Sequence, residues 1–266
     1  MPQWTLLGLL AGKQTAPWPL AEGTDGQQGL LGMPRYKPEL CSNECKVCAD
    51  ICPTKAITMR AGTDSGKLDV DYGRCVVCQL CTEACPTGAM SPSSDWAFGV
   101  RSRADLSWAE NPAIAPIAGT QTRRPFRRSL HVRHVDAGSC NGCESELQAL
   151  NNPFYNLHRL GIFFTASPRF ADLLLVTGPV TNAMLEPLRA TYEAMAEPRW
   201  VVAVGTCAVS GGIAKGGYAA GHGLDGVIPV DVYLPGCAPN PAAIIAALLM
   251  FLDRAPQRVK GGQIVE

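Results

Sequence analysis

HVDAGSCNGCESE, residues 134–146, divides by composition into a strand end, a loose turn and a helix start. His131-Val-Arg-His-Val135 leads into it with β-branched residues, Gly138 and Gly142 loosen the turn, and Glu144 to Leu150 has the make-up of a helix. Cys140 and Cys143 therefore fall on a strand-to-helix loop. Cys207 in VVAVGTCAVSGG (201–212) and Cys237 in VDVYLPGCAPNP (230–241) each follow a strand-like run in the same way. In a parallel α/β sheet, the loops at the carboxyl ends of the strands converge on one edge, where ligands bind. Four thiols are thus expected to gather there.

Isolated cysteines are more often small buried hydrophobes. These four instead lie in loops punctuated by Gly and Pro, beside the apolar runs rather than within them. A Cys₄ set also suits zinc, and that alternative stays open on these four residues alone. Outward from the quoted stretch, Phe163-Phe164 and Leu173–Thr177 read as buried strands and Asn182 to Ala196 as a helix. Trp200–Val204 reads as a further strand and Ala242 to Leu252 as a buried helix. Short apolar strands alternating with helices predict an α/β domain with a flavodoxin-like parallel sheet over residues 131–266.

Residues 41–92 hold a repeat. Cys41-x₃-Cys45-x₂-Cys48-x₃-Cys52-Pro53 is followed by Cys75-x₂-Cys78-x₂-Cys81-x₃-Cys85-Pro86, so that Cys45, Cys48 and Cys52 recur as Cys78, Cys81 and Cys85. The pattern resembles the two-[4Fe-4S] ferredoxin domains, an α+β class in which three cysteines of each run hold one cluster and the fourth crosses to the other. By that resemblance Cys41, Cys45, Cys48 and Cys85 hold one cluster, and Cys75, Cys78, Cys81 and Cys52 hold the other. The first gap has three residues where the family usually has two.

Residues 93–130 lose periodicity and carry six arginines against three acidic residues; they read as a linker whose charge is solvated. The pair within Arg123-Arg-Pro-Phe-Arg-Arg128 lies mid-chain and runs into a strand, unlike a twin-arginine export signal. Residues 1–40 are rich in Gly and Pro and read as an arm or flexible tail.

The chain has 266 residues, twelve cysteines and zero formal net charge, so charge implies neither nucleic acid nor an anionic membrane as partner. MPQWTLLGLLAGK lacks the pattern of an export signal, and the apolar run Ala242 to Leu252 is short of the roughly 20 residues that span a bilayer. Thiols in such number are expected to be metal ligands in a reducing, cytoplasmic setting.

CNGCE (140–144), DLLLVTGPVT (172–181), GTCAVSGG (205–212) and PGCAPNP (235–241) together resemble the small electron-transfer subunit shared by [NiFe] hydrogenases and respiratory complex I. Cys140-x-x-Cys143 resembles the hydrogenase branch, in particular the membrane-bound, energy-converting group that includes formate hydrogenlyase; complex I members typically carry adjacent cysteines there. Ala238 stands where the family often has proline. The resemblance implies that Cys140, Cys143, Cys207 and Cys237 hold a third [4Fe-4S] cluster, proximal to an active site in a catalytic large subunit. It further implies membrane subunits and a redox donor or acceptor protein as partners, on the cytoplasmic face of the inner membrane. The chain is then an oxidoreductase component that conducts electrons and carries no catalytic residue of its own. The alternatives are a complex I-like quinone oxidoreductase subunit and a non-redox zinc module serving assembly.

Glycines beside the ligands (Gly142, Gly205, Gly211, Gly212, Gly236) would let N–H groups approach sulfur or simply serve turns. Glu144 and Glu146 suit a helix start, a proton-relay role being the alternative. His131 and His134 read as structural or interface residues, and Thr206 and Ser210 as candidate donors to sulfur.

Overall fold

The structure, a computed structural model, describes residues 2–21, 23–42, 45–60, 68–110 and 129–265. Gln3–Ala11 is a helix (α1) whose side chains bury nothing. The arm then lies along the rest of the chain: Ala16 N–H donates to Phe154 O at 2.9 Å, and Trp18 meets Trp96 edge-on at 6.1 Å. Where composition predicts a loose tail, these backbone and ring contacts hold residues 16–33 in place.

The cysteine repeat folds as two half-similar units. Arg35–Tyr36 (β1) leads to the short helix Val47–Ile51 (α2), which precedes a hairpin of Ile57–Met59 (β2) and Leu68–Val70 (β3). The second unit has Leu80–Glu83 (α3) and Met90–Ser91 (β4), and β4 returns to pair antiparallel with β1. The extra residue in the first gap falls among residues 42–44, of which 43 and 44 lie outside the described residues.

Residues 93–110 show no periodicity in sequence, yet Phe98, Val100, Leu106 and Trp108 are buried. Val100 forms an antiparallel bridge with Tyr233, and the Trp108 N–H donates to Val70 O at 2.8 Å. This segment is therefore packed between the two halves, although its lack of periodicity suggests an interdomain linker. Residues 111–128 of the expected linker, with its paired arginines, lie outside the described residues, and Leu130 already opens a strand.

The second half is a five-stranded sheet. Leu130–Asp136 (β5) is followed by helix Gly142–Ala149 (α4), Ile162–Phe164 (β6) and Leu173–Thr177 (β7). Helix Asn182–Glu193 (α5), Trp200–Val204 (β8), helix Thr206–Ser210 (α6), Val232–Leu234 (β9) and helix Pro241–Phe251 (α7) complete it. The strand order is β6-β5-β7-β8-β9, and every neighbouring pair is parallel. LLLVT of β7 is buried throughout, as a strand covered on both faces must be. Leu173 and Leu175 join Leu248 of α7 on one face, while Leu174 and Val176 face Leu188 of α5 on the other.

The core on the α5 side continues without a break into Tyr36, Leu68 and Tyr72 of the cysteine-repeat half. Asn240 caps α7 by accepting from the Ala243 N–H at 2.7 Å, and Pro241 opens the helix. Phe163, expected to be buried, is exposed because β6 forms the sheet edge; it stacks between His131 and His158 at 5.8 and 5.3 Å. Val259–Lys260 (β10) and Gln263–Ile264 (β11) form a terminal hairpin.

Candidate iron–sulfur site

Each of the twelve cysteines stands outside any disulfide. Cys140 and Cys143 leave the end of β5, Cys207 leaves β8 and Cys237 leaves β9, so the parallel arrangement brings these loops to one edge. Burial pushes the Cys143 thiol up to about 12, with added repulsion from Glu144, Cys207, Cys237 and Cys140. Burial likewise raises Cys207 to about 11, with Cys237 and Cys140 as neighbouring charges. The four predicted thiols are neighbours.

Glycine is required beside them. Gly205 has φ +87° and ψ 151°, a region open essentially to glycine alone. A Cβ there would lie 2.6 Å from Cys143 Sγ, and one at Gly212, φ +56°, would lie 2.8 Å from Cys207 Sγ.

The repeat half brings its cysteines together in two crossed sets. Cys48 is raised by burial to about 11, and the charges next to it are Cys41, Cys85 and Cys45. Cys75 is raised by burial to about 12, with Cys81, Cys52 and Cys78 as its charged neighbours. Cys81 is also raised by burial to about 12, beside Cys78, Cys52 and Cys48. The fourth cysteine of each run thus stands with the three of the other run. Cys52, Cys75, Cys78 and Cys81 line one pocket, walled by Ile57, Val70 and Tyr72.

Backbone donors face several sulfurs. Ala56 N–H donates to Cys52 Sγ at 3.2 Å, Val77 N–H to Cys75 Sγ at 3.4 Å and Met90 N–H to Cys85 Sγ at 3.3 Å. Burial works to raise the Cys85 pKa, but N–H donors from Met90 and Thr87 outweigh it and hold the thiol below its ordinary value. Among the described residues, no three His, Cys, Asp or Glu side chains converge closely enough to hold a single metal ion. Neighbouring thiols, with N–H groups aimed at sulfur in the repeat, fit an iron–sulfur group.

Thr206 and Ser210 do not serve sulfur. Thr206 Oγ1 donates to Cys75 O at 2.7 Å, and Ser210 Oγ donates to Thr206 O at 3.1 Å. Sequence reading also missed a buried polar network behind Cys143. Glu144, 9% exposed, accepts from Ser139 Oγ at 2.5 Å and from Thr177 Oγ1. His134 Nε2 lies 3.0 Å from Thr177 Oγ1 and 3.7 Å from Glu144 Oε1. Burial lowers the His134 pKa against the pull of Glu144 and Asp136, which leaves the ring as a neutral hydrogen-bonding partner. The polar residues Ser139, Glu144 and Thr177 surrounding CNGCE were the available signal.

No helix among the described residues is long and apolar enough to cross a membrane. The family model described as NADH ubiquinone oxidoreductase, 20 Kd subunit, matches residues 140–251, and that of the 4Fe-4S dicluster domain matches residues 40–89. An uncharacterized protein of Methanocaldococcus jannaschii is 50% identical over 129 residues, covering 48% of this chain and 86% of that protein. A probable membrane-bound hydrogenase subunit, mbhJ, of Pyrococcus furiosus is 43% identical over 134 residues, which is 50% of this chain and 80% of the subunit. Formate hydrogenlyase subunit 7 of Escherichia coli is 41% identical over 136 residues, 51% of this chain but only 53% of that subunit. The chain belongs to the family of the NADH ubiquinone oxidoreductase 20 Kd subunit, shared with hydrogenases, and joins to it a ferredoxin-like 4Fe-4S domain.

Proposed function

We propose that this chain is the iron–sulfur electron-transfer subunit of a membrane-associated, hydrogenase-like complex of the formate hydrogenlyase type. It is an oxidoreductase component whose substrate-converting site lies in a catalytic large subunit. The observation that carries this reading is the neighbourhood of thiols, across the two runs of the repeat and across the loops after β5, β8 and β9. We assign Cys41, Cys45, Cys48 and Cys85 to a first [4Fe-4S] cluster, Cys52, Cys75, Cys78 and Cys81 to a second, and Cys140, Cys143, Cys207 and Cys237 to a third. A bound cluster of this type supplies one-electron exchange.

The chain's own residues do the rest. Apolar walls such as Ile57, Val70 and Tyr72 exclude water from the second set, and the N–H donors of Ala56, Val77 and Met90 stabilise charge on sulfur. The Cys75 loop touches the Cys207 loop through Thr206. The second set therefore lies beside the third, and we assign the first set to exchange with a redox donor or acceptor protein. The exposed Ile213 and Tyr218, on the glycine-rich loop after Cys207, offer apolar surface for the large subunit. Docking to membrane subunits would hold the chain peripherally, on the cytoplasmic face.

We divide the chain into an arm (1–40), a ferredoxin-like domain (41–92), a connecting segment (93–130) and the sheet domain (131–266). The sheet's order, 2-1-3-4-5 in sequence terms, is that of flavodoxin-like folds and supports that finer assignment.

Paired substitutions test the division of labour. Cys207→Ala removes a thiol whose site gathers loops from three strands, and cluster binding is partly folding free energy. It is expected to abolish both co-purification of the large subunit and activity with an artificial dye. Cys78→Ala is expected to leave the large subunit bound and dye activity present while blocking turnover with the natural donor. Equal loss of assembly in both variants, or full natural activity in Cys78→Ala, contradicts the proposal.

A further inference from the structure

The two cysteine-bearing halves meet at one buried hydroxyl. Thr206 is 1% exposed and stands between Gly205 and Cys207 at the start of α6. Its hydroxyl donates to the main-chain oxygen of Cys75 at 2.7 Å and accepts from the main-chain N–H of Gly236, the residue before Cys237, at 3.0 Å. One side chain thus joins the loops that carry Cys75, Cys207 and Cys237. The Thr206 backbone is fixed on both sides: its N–H donates to Gly236 O at 2.9 Å, and its carbonyl accepts from Ser210 Oγ at 3.1 Å. A helix start needs no such contact. Neither Cys75 O nor Gly236 N is part of α6, so local folding does not account for the hydroxyl's two partners.

We propose that Thr206 is a positioning residue for electron passage between the Cys52/Cys75/Cys78/Cys81 set and the Cys140/Cys143/Cys207/Cys237 set. Its hydroxyl clamps the Cys75 loop onto the sheet edge. The route from Cys75 to Cys207 through it consists of covalent bonds and a single hydrogen bond. This proposal rests on the electron-transfer reading above. One electron passes from one set to the other, with no bond made or broken and no proton moved.

Valine matches threonine in shape but can neither donate to Cys75 O nor accept from Gly236 N, and both groups would be left buried without their partner. Serine keeps the hydroxyl and removes the methyl. The test uses the full chain, purified without oxygen, as wild type, Thr206→Val and Thr206→Ser, with iron and sulfide counted in each. Three quantities are compared: amide hydrogen exchange at Gly236, the spin–spin interaction between the reduced second and third sets, and the rate at which an electron equilibrates between them.

Thr206→Val is expected to exchange the Gly236 amide about tenfold faster, the scale of one lost buried hydrogen bond, and to show a weaker spin interaction and slower equilibration. Thr206→Ser should restore all three. Unchanged exchange and spin interaction in Thr206→Val would overturn the proposal. So would Thr206→Ser behaving like valine, because the methyl and its packing would then be responsible. If Thr206→Val yields no folded chain, Thr206→Ser decides alone: native values support the hydroxyl's role and loss of them overturns it. Wild-type chain lacking iron and sulfide would instead refute the electron-transfer reading, and Gly236 exchange would still report on the clamp.

Discussion

Replacing Gly205 with alanine should remove the cluster proposed on Cys140, Cys143, Cys207 and Cys237 and spare the two proposed on the repeat. The backbone there, at φ +87° and ψ 151°, is outside the regions that alanine occupies, at a cost of about 1–3 kcal/mol. The new methyl would lie 2.6 Å from Cys143 Sγ, where ordinary contact is 3.4–4 Å, so the thiol must retreat by most of an ångström. Overpacking of that kind costs a further ~1–3 kcal/mol. Cys143 cannot retreat and still share a group with Cys140, Cys207 and Cys237. Iron in anaerobically purified Gly205→Ala is therefore expected to fall from about twelve to about eight per chain, since each cubane carries four. Gly226→Ala is the control: its φ is also positive, at +71°, but nothing lies within 4 Å of the added methyl, so it has no collision with a thiol and should keep its iron. Full iron in Gly205→Ala, or an equal loss in Gly226→Ala, would refute the reasoning.

Leu106→Ala, at a fully buried position in the segment that sequence alone assigns to a linker, should destabilise the chain by roughly 2–5 kcal/mol in anaerobic denaturant titration; a loss under about 0.5 kcal/mol, the surface value, would contradict its packing. Tyr36→Phe removes a hydroxyl that hydrogen-bonds Cys41 and also accepts from Leu68 N–H at 3.2 Å. In a redox titration followed by EPR, the potential of the first set should move to more negative values while the other two stay put; a uniform shift would contradict the assignment. Burial holds Cys75, Cys81 and Cys143 at about 12 and Cys48 and Cys207 at about 11 in the iron-free fold, above the ordinary thiol value of 9.0. These thiols are protonated at neutral pH, so reconstitution should release a proton from each, which a pH indicator dye can follow. Because the folded values are raised, this contribution to iron-free stability is complete below pH 9 and should be lost as pH climbs from there through about 11–12.

The cysteine spacings and the apolar runs were legible because both are local. Leu173–Thr177 announces a doubly covered strand by composition, and each Cys-Pro step marks a thiol that lies beside those of the other run. What sequence did not disclose depends on contacts between distant residues. Phe98, Val100 and Trp108 lack periodicity because each is buried by a different neighbour, and Val100 closes the open side of β9 through Tyr233. Thr206 looked like a donor to sulfur from its place beside Cys207, but its hydroxyl finds Cys75, 131 residues away. Phe163 reads as buried because an apolar pair looks the same in an edge strand as in a central one. The Glu144 network needed β7 beside β5 to bring Thr177 to the carboxylate.

The most direct test of the central claim is the ratio of iron, acid-labile sulfide and zinc to protein in the full chain made and purified without oxygen, with its visible absorption. Three [4Fe-4S] groups on twelve thiols predict about twelve irons and twelve sulfides per chain, and a broad absorption that bleaches on reduction. Zinc with little sulfide, or a colourless protein, would contradict the account.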